Sequence, residues 1–100
     1  MDEAVVKRIM PHSNEAEQAV IGSMMMDQEA ITVAMEKLSD ADFYNKQYGS
    51  LFKAMVELYN EGREGDLVTI KTKLEEMDVP SEVISIDFIR NILDMVPTSA

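Results

Sequence analysis

The stretch that decides the fold is Asn45-Lys46-Gln47-Tyr48-Gly49-Ser50-Leu51-Phe52-Lys53-Ala54-Met55-Val56-Glu57-Leu58-Tyr59-Asn60-Glu61-Gly62. Tyr48, Leu51, Phe52, Met55, Leu58 and Tyr59 recur at spacings of three and four, which gathers them on one side of an α-helix, while Lys53, Glu57 and Asn60 fall opposite. Asn45 carries a side-chain oxygen that can accept from a free amide of the first turn, and Gly62 suits the left-handed residue that often ends a helix. A helix with so wide an apolar stripe must bury it against other elements. The sequence on either side offers more helices.

Upstream, Asp42-Phe43-Tyr44 reads as a turn with its aromatics directed inward. Asp27 caps a helix whose inward stripe is Ile31, Ala34, Met35 and Leu38, and Ser39-Asp40 stops it. A further helix is expected over about Glu15 to Met25, where Ala16, Ala19, Val20, Ser23 and Met24 share a face that Ile21 and Met25 widen. Asn14 is its expected cap, with Glu17 at the third helical position reaching back to the cap as in a capping box. Gly22 lies inside this helix at a cost of about 1 kcal/mol relative to Ala, which points to a close helix crossing. Residues 1–12 read as an arm, because Pro11 pushes Met10 out of helical geometry.

Downstream, Gly62-Arg63-Glu64-Gly65 is a loop, and Asp66 caps a helix presenting Leu67, Ile70, Leu74 and Met77. Leu67-Val68-Thr69-Ile70 alone is β-friendly, but the continuation to Leu74 and Met77 favours the helix. Asp78-Val79-Pro80 breaks the chain. Ser85 then caps a last helix, with Phe88, Ile89, Ile92 and Leu93 inward, that ends before Pro97. The expectation is an all-α fold: one compact orthogonal bundle of about five or six short helices, with the arm over 1–12 and the helical domain over 13–100. Its core is expected to contain Val20, Ile21, Met24, Phe43, Leu51, Phe52, Met55, Leu58, Leu74, Phe88, Ile92 and Leu93.

Composition limits the function. The chain has 100 residues, 46% of them apolar, which fills one core rather than two. Its formal net charge is -10, and residues 1–50 and 51–100 each carry about -5, so no basic patch is set apart to grip a phosphate backbone. Cysteine is absent and His12 stands alone, which leaves neither a disulfide framework nor a thiolate or histidine zinc site. Met1-Asp2-Glu3 is not the basic start of a signal peptide, and no run of roughly 18 apolar residues is available to span a membrane. A cytoplasmic location is expected.

The chemical motifs favour structural readings. His12 has no nucleophile arranged around it and is expected beside a helix start, facing solvent. The pairs Glu15/Glu17 and Asp40/Asp42 lie at helix starts, where carboxylates are favoured by unpaired amides and the backbone dipole. A small carboxylate hydrolase built on Asp40/Asp42 is a minor alternative. Gly62-x-x-Gly65 resembles a nucleotide-clamping loop only superficially, since Glu61, Glu64 and Asp66 would repel phosphate and no Lys-Ser or Lys-Thr follows. In Met24-Met25-Met26, successive side chains point about 100° apart, so at most two face the core and one is exposed. No catalytic, cofactor-binding or metal-binding residue is assigned, and the class left by elimination is a protein-interaction module whose contact residues the sequence does not specify.

Several blocks together carry a resemblance. Arg8 followed by Pro11-His12-Ser13-Asn14-Glu15-Ala16-Glu17-Gln18-Ala19-Val20-Ile21-Gly22 is similar to the opening signature of the N-terminal domain of bacterial replicative DNA helicases, the DnaB family. In order there follow Asp42-Phe43-Tyr44, Leu51-Phe52-Lys53-Ala54-Met55 through Leu58-Tyr59 with Gly62, Asp66-Leu67-Val68-Thr69, and Val96-Pro97-Thr98-Ser99-Ala100. All are at the family's relative spacing, over essentially the whole chain. Two departures stand out: Ile84-Ser85-Ile86 replaces a Gly-Gly pair often found before the last helix, and several positions commonly Leu are Met, a nearly volume-conserving change.

The resemblance implies an all-helical head that belongs to a ring-shaped hexamer, in which such heads and their helical hairpins form a collar, a trimer of dimers. It implies primase and a helicase loader as partners. In the parent it implies ATP, Mg and single-stranded DNA, handled by a RecA-like motor domain. The chain is expected to be a domain fragment lacking the hairpin and the motor, and no phosphate-binding Gly-x-x-x-x-Gly-Lys motif, metal-holding acid or arginine finger is recognisable in it. The alternative from another class is a free-standing acidic adaptor that captures primase or blocks ring assembly.

Overall fold

The computed structural model describes residues 14–95. The arm, His12 and the block from Val96 to Ala100 lie outside the described residues. Among the described residues five α-helices follow one another: α1 (Asn14–Met26), α2 (Gln28–Lys37), α3 (Lys46–Asn60), α4 (Leu67–Glu76) and α5 (Ile86–Met95), with a 3-10 turn at Asp40–Asp42 before α3. No strand occurs among the described residues, so the stretch Leu67-Val68-Thr69-Ile70 opens a helix. The α3 helix is central. It packs against α1, α2, α4 and the 3-10 turn, while α5 closes the bundle over α1 and α4.

Short polar side chains set most helix starts. Asp27 accepts the Glu29 N–H at 3.0 Å, Asn45 that of Gln47 at 2.9 Å, Asp66 that of Thr69 at 2.8 Å, and the Ser85 hydroxyl that of Phe88 at 3.1 Å. The bond from Thr69 holds the Asp66 carboxyl below the usual carboxylate range. Two helices end in the same left-handed motif. After α3, Gly62 (φ 72°) lets its own N–H reach Tyr59 O at 3.0 Å and the Arg63 N–H reach Leu58 O at 2.9 Å. After α4, Asp78 (φ 65°) plays the glycine's part, with the Val79 N–H on Leu74 O at 2.8 Å, and Pro80 prevents continuation.

The core follows most of the expected faces, but Tyr44, expected inward beside Phe43, is 66% exposed, and Ala16, Ala19 and Ser23, on the α1 face expected to be core, are exposed as well. Ile21, Met24, Phe43, Leu51, Phe52, Met55, Leu58, Leu74 and Ile92 are buried, together with Ile31, Ala34, Tyr48, Ala54, Ile70, Ile84 and Ile89. Val20, Phe88 and Leu93 are only half-buried and belong to its edge, a correction to the expected core. Phe43 and Phe52 meet at 5.2 Å between ring centroids, and Tyr48 stacks on Phe88 at 5.7 Å. Gly22 is buried.

Gly49 carries a constraint that periodicity does not show. The Asp40 carbonyl oxygen lies 2.8 Å from where a Cβ would sit, so the 3-10 turn seats directly on the α3 backbone and admits only glycine without a shift.

Candidate interaction surface

Of the carboxylates singled out in the sequence, Asp42 and Glu17 are used structurally. Asp42 Oδ2 accepts the Ser39 N–H at 2.8 Å and lies 3.4 Å from the Ser39 hydroxyl, closing the 3-10 turn. Glu15 is exposed. Asn14 and Glu17 are corrections: Asn14 is the first helical residue rather than the cap, and the Glu17 carboxylate does not turn back to it but crosses to the next layer, where Oε2 accepts the Tyr44 N–H at 2.8 Å and Oε1 the Asn45 N–H at 3.1 Å. These amides sit at the start of α3, so a side chain of α1 satisfies donors that α3 leaves open. The Asn14 oxygen accepts from Asn45 Nδ2 at 3.2 Å beside it. Tyr48 lies underneath: burial raises its phenol above the ordinary range, a hydrogen bond with the Asn14 side chain opposes the shift, and the Glu17 charge adds to it. No group of three or more His, Cys, Asp or Glu residues suited to a metal ion occurs among the described residues.

Lys73 was not singled out by the sequence reading. Although charged, it is buried, with its ammonium 2.6 Å from Glu61, 3.4 Å from Glu57 and 3.7 Å from Glu76. This draws Glu57 into a half-buried position, so it does not lie on an open face as the helical wheel alone suggests. The cluster ties α4 to the C-terminal half of α3. The one available signal was position: Lys73 lies between Ile70 and Leu74 and borders the apolar stripe, where a long aliphatic stem can be covered while its head reaches acids.

Lys73 and Arg63 bonding hold the Glu61 carboxyl below its ordinary value, and the bond to Glu61 raises the Lys73 ammonium above its own. The depressed Glu61 value gives stability that is present above the ordinary carboxylate range and is lost as pH falls through its folded pKa. The raised Lys73 value gives stability that is present below the ordinary lysine range and is lost as pH rises through its folded pKa. Lys73→Met, which leaves three glutamates facing one another, is therefore expected to lower the thermal unfolding midpoint by several degrees at pH 7. The gap should narrow below pH 4; circular dichroism melts at the two pH values test this, and an equal gap at both would refute it.

The described surface also carries exposed apolar side chains. Met24 is buried, Met25 half-buried and Met26 54% exposed, as the turn angle of a helix requires. Around Met24, Met25 and Met26 a hollow of about 260 Å³ reaches Tyr59, Arg63 and Asp66. A larger groove of about 660 Å³ runs between α1 and α2, floored by Ala19, Val20, Ala30 and Ala34. Val33, on its wall, is 53% exposed. The small alanine side chains leave this space open, and its lining is largely apolar.

Comparison with known proteins gives the family of this all-helical domain. The model of the DnaB-like helicase N-terminal domain matches residues 9–100. The chain belongs to that family. It is 36% identical to the replicative DNA helicase DnaC of Bacillus subtilis (strain 168) over 100 residues, covering 100% of this chain and 22% of that protein. Identity to the replicative DNA helicase DnaB of Geobacillus stearothermophilus is also 36%, with the same coverage. Among solved structures, the N-terminal domain of DnaB helicase from Mycobacterium tuberculosis superposes with a TM-score of 0.76 at 29% identity, covering 83% of this chain and 60% of that one. The chain thus spans about 22% of the length of these curated relatives. No described helix is long and apolar enough to cross a membrane.

Proposed function

We propose that this chain is the N-terminal collar and protein-interaction domain of a hexameric, ATP-dependent replicative DNA helicase, with the arm over 1–12 and the collar domain over 13–100. In this reading it supports ring assembly, recruits primase and offers a contact to a helicase loader, in the cytoplasm. ATP, Mg and single-stranded DNA are engaged by the motor part of such a helicase, not by these residues. The observation that carries the reading is the family match over residues 9–100, joined to the small share of the helicase relatives that the chain spans. The even acidity supports the division of labour: at a net charge of -10 the domain gains little from counterion release on DNA.

The test is a titration of labelled primase C-terminal domain with this chain. Saturable binding in the micromolar range is expected, and no binding at high micromolar concentration overturns primase recruitment by this domain. A parallel assay should find no ATP hydrolysis above that of a Phe52→Asp control, whose buried aromatic has been replaced by a charge. Activity above that control would overturn the assignment of the chemistry to the motor.

A further inference from the structure

We propose that α2 pairs with α2 of a second copy of this chain, antiparallel about a two-fold axis beside Val33. The helix lies at the edge of the bundle: among the described residues it packs against α1 and α3 but not against α4 or α5. Its outward stripe is Glu29, Val33 and Lys37, spaced by four and all exposed. All three border the groove between α1 and α2. No ion pair among the described residues engages Glu29 or Lys37. The helix dipole favours an acid in the first turn and a base in the last, but it does not require both to share the stripe of an exposed valine.

The spacing is self-complementary. Glu29 and Lys37 each stand four residues from Val33, about 6 Å along the helix axis in opposite directions. A two-fold axis beside Val33 therefore sets Glu29 of each copy level with Lys37 of the other, and one operation forms two ion pairs. Parallel pairing would instead set Glu29 on Glu29 and Lys37 on Lys37. The groove, floored by Ala30 and Ala34, gives the second copy's Val33 a place to enter. Two chains of net charge -10 repel at long range, but at 0.15 M salt this repulsion is screened beyond about 8 Å. One pair of 10-residue helices makes a small interface of the weakly associating class, so a dissociation constant on the order of hundreds of micromolar is expected. The pairing needs only α2 and is independent of primase recruitment.

Sedimentation of the full 100-residue chain from low micromolar to millimolar concentration tests this. The mass is expected to rise from monomer towards dimer. Glu29→Lys and Lys37→Glu should each weaken pairing by about tenfold, because the two-fold axis turns both ion pairs into like-charge contacts. The first makes the chain less acidic and the second more so, hence a bulk charge effect would move them in opposite directions. An equimolar mixture of the two single variants should pair about as tightly as the parent, since each supplies the charge the other lacks. Val33→Asp, which sets two carboxylates beside the axis, should stay monomeric. All four positions of test are exposed, and circular dichroism matching the parent shows that the variants keep the fold. Three results overturn the proposal: a monomer at every concentration, single variants that pair like the parent, or a mixture that pairs no better than its components. The last would identify an asymmetric contact instead of the two-fold one.

Discussion

Ile84→Ala is expected to lower stability by about 2–4 kcal/mol, the range for emptying a fully buried branched aliphatic site. Ile84 is 0% exposed although it lies in the irregular segment between α4 and α5. Its backbone N–H bonds Pro80 O at 3.1 Å, and the carbonyl of its neighbour Val83 accepts from Gln47 Nε2 at 2.5 Å, which fastens the segment to the start of α3. The loop cannot easily close over a cavity. For a domain of this size the loss corresponds to a melting midpoint lower by roughly 10–25 °C, readable by circular dichroism. Val83→Ala and Ile86→Ala, at positions 47% and 37% exposed, should stay within about 0.5 kcal/mol of the parent. A drop under about 1 kcal/mol at Ile84 would mean that the segment does not plug the core.

Glu17→Ala is expected to lower stability by about 1.5–3 kcal/mol, because one carboxylate serves two backbone amides at the start of the central helix. Glu17→Gln, which replaces one acceptor oxygen by an NH2 group, should fall between the two. Glu15→Ala changes an exposed acid two residues away and should lie within about 0.5 kcal/mol of the parent. Urea unfolding of the four proteins orders them. Equal midpoints for Glu15→Ala and Glu17→Ala would show that the cross-helix bonds add nothing.

These two residues also mark where sequence reading stops. Helix faces were legible because packing repeats with the helical period, so Leu51, Phe52, Met55 and Leu58 declare themselves, and the caps at Asp27, Asn45, Asp66 and Ser85 are local hydrogen bonds that composition reveals. Ile84 sits in no periodic run. Nothing local separates it from Val83 and Ile86, and only the route of the chain over the bundle buries it. Glu17 was placed correctly on its helix but given a local partner, since a capping box is the nearest use for an acid at that offset. Its actual partners are 27 and 28 residues away. Gly49 and Lys73 were missed for the same reason: each answers to an element distant in sequence, the Asp40 carbonyl in one case and Glu57 and Glu61 in the other.

On the surface, one exposed methionine of the three was legible in the sequence, but the groove was not. The groove is made by what is absent, small side chains on two helices that diverge from Asp27, and a hollow between elements has no periodic signature.

The Lys73 cluster, together with Lys71, which is buried beside Glu75 at 3.3 Å, sets two covered lysines apart from the open ones. Acylating reagents and acetyl-transfer enzymes attack the uncharged amine, and Lys73 is both covered and held in its protonated form by acids on three sides. Lys37, Lys46 and Lys53 stand open to solvent. Acylation of the folded domain is thereby channelled to the open lysines, and a mark on Lys73 records a moment when α4 had left α3.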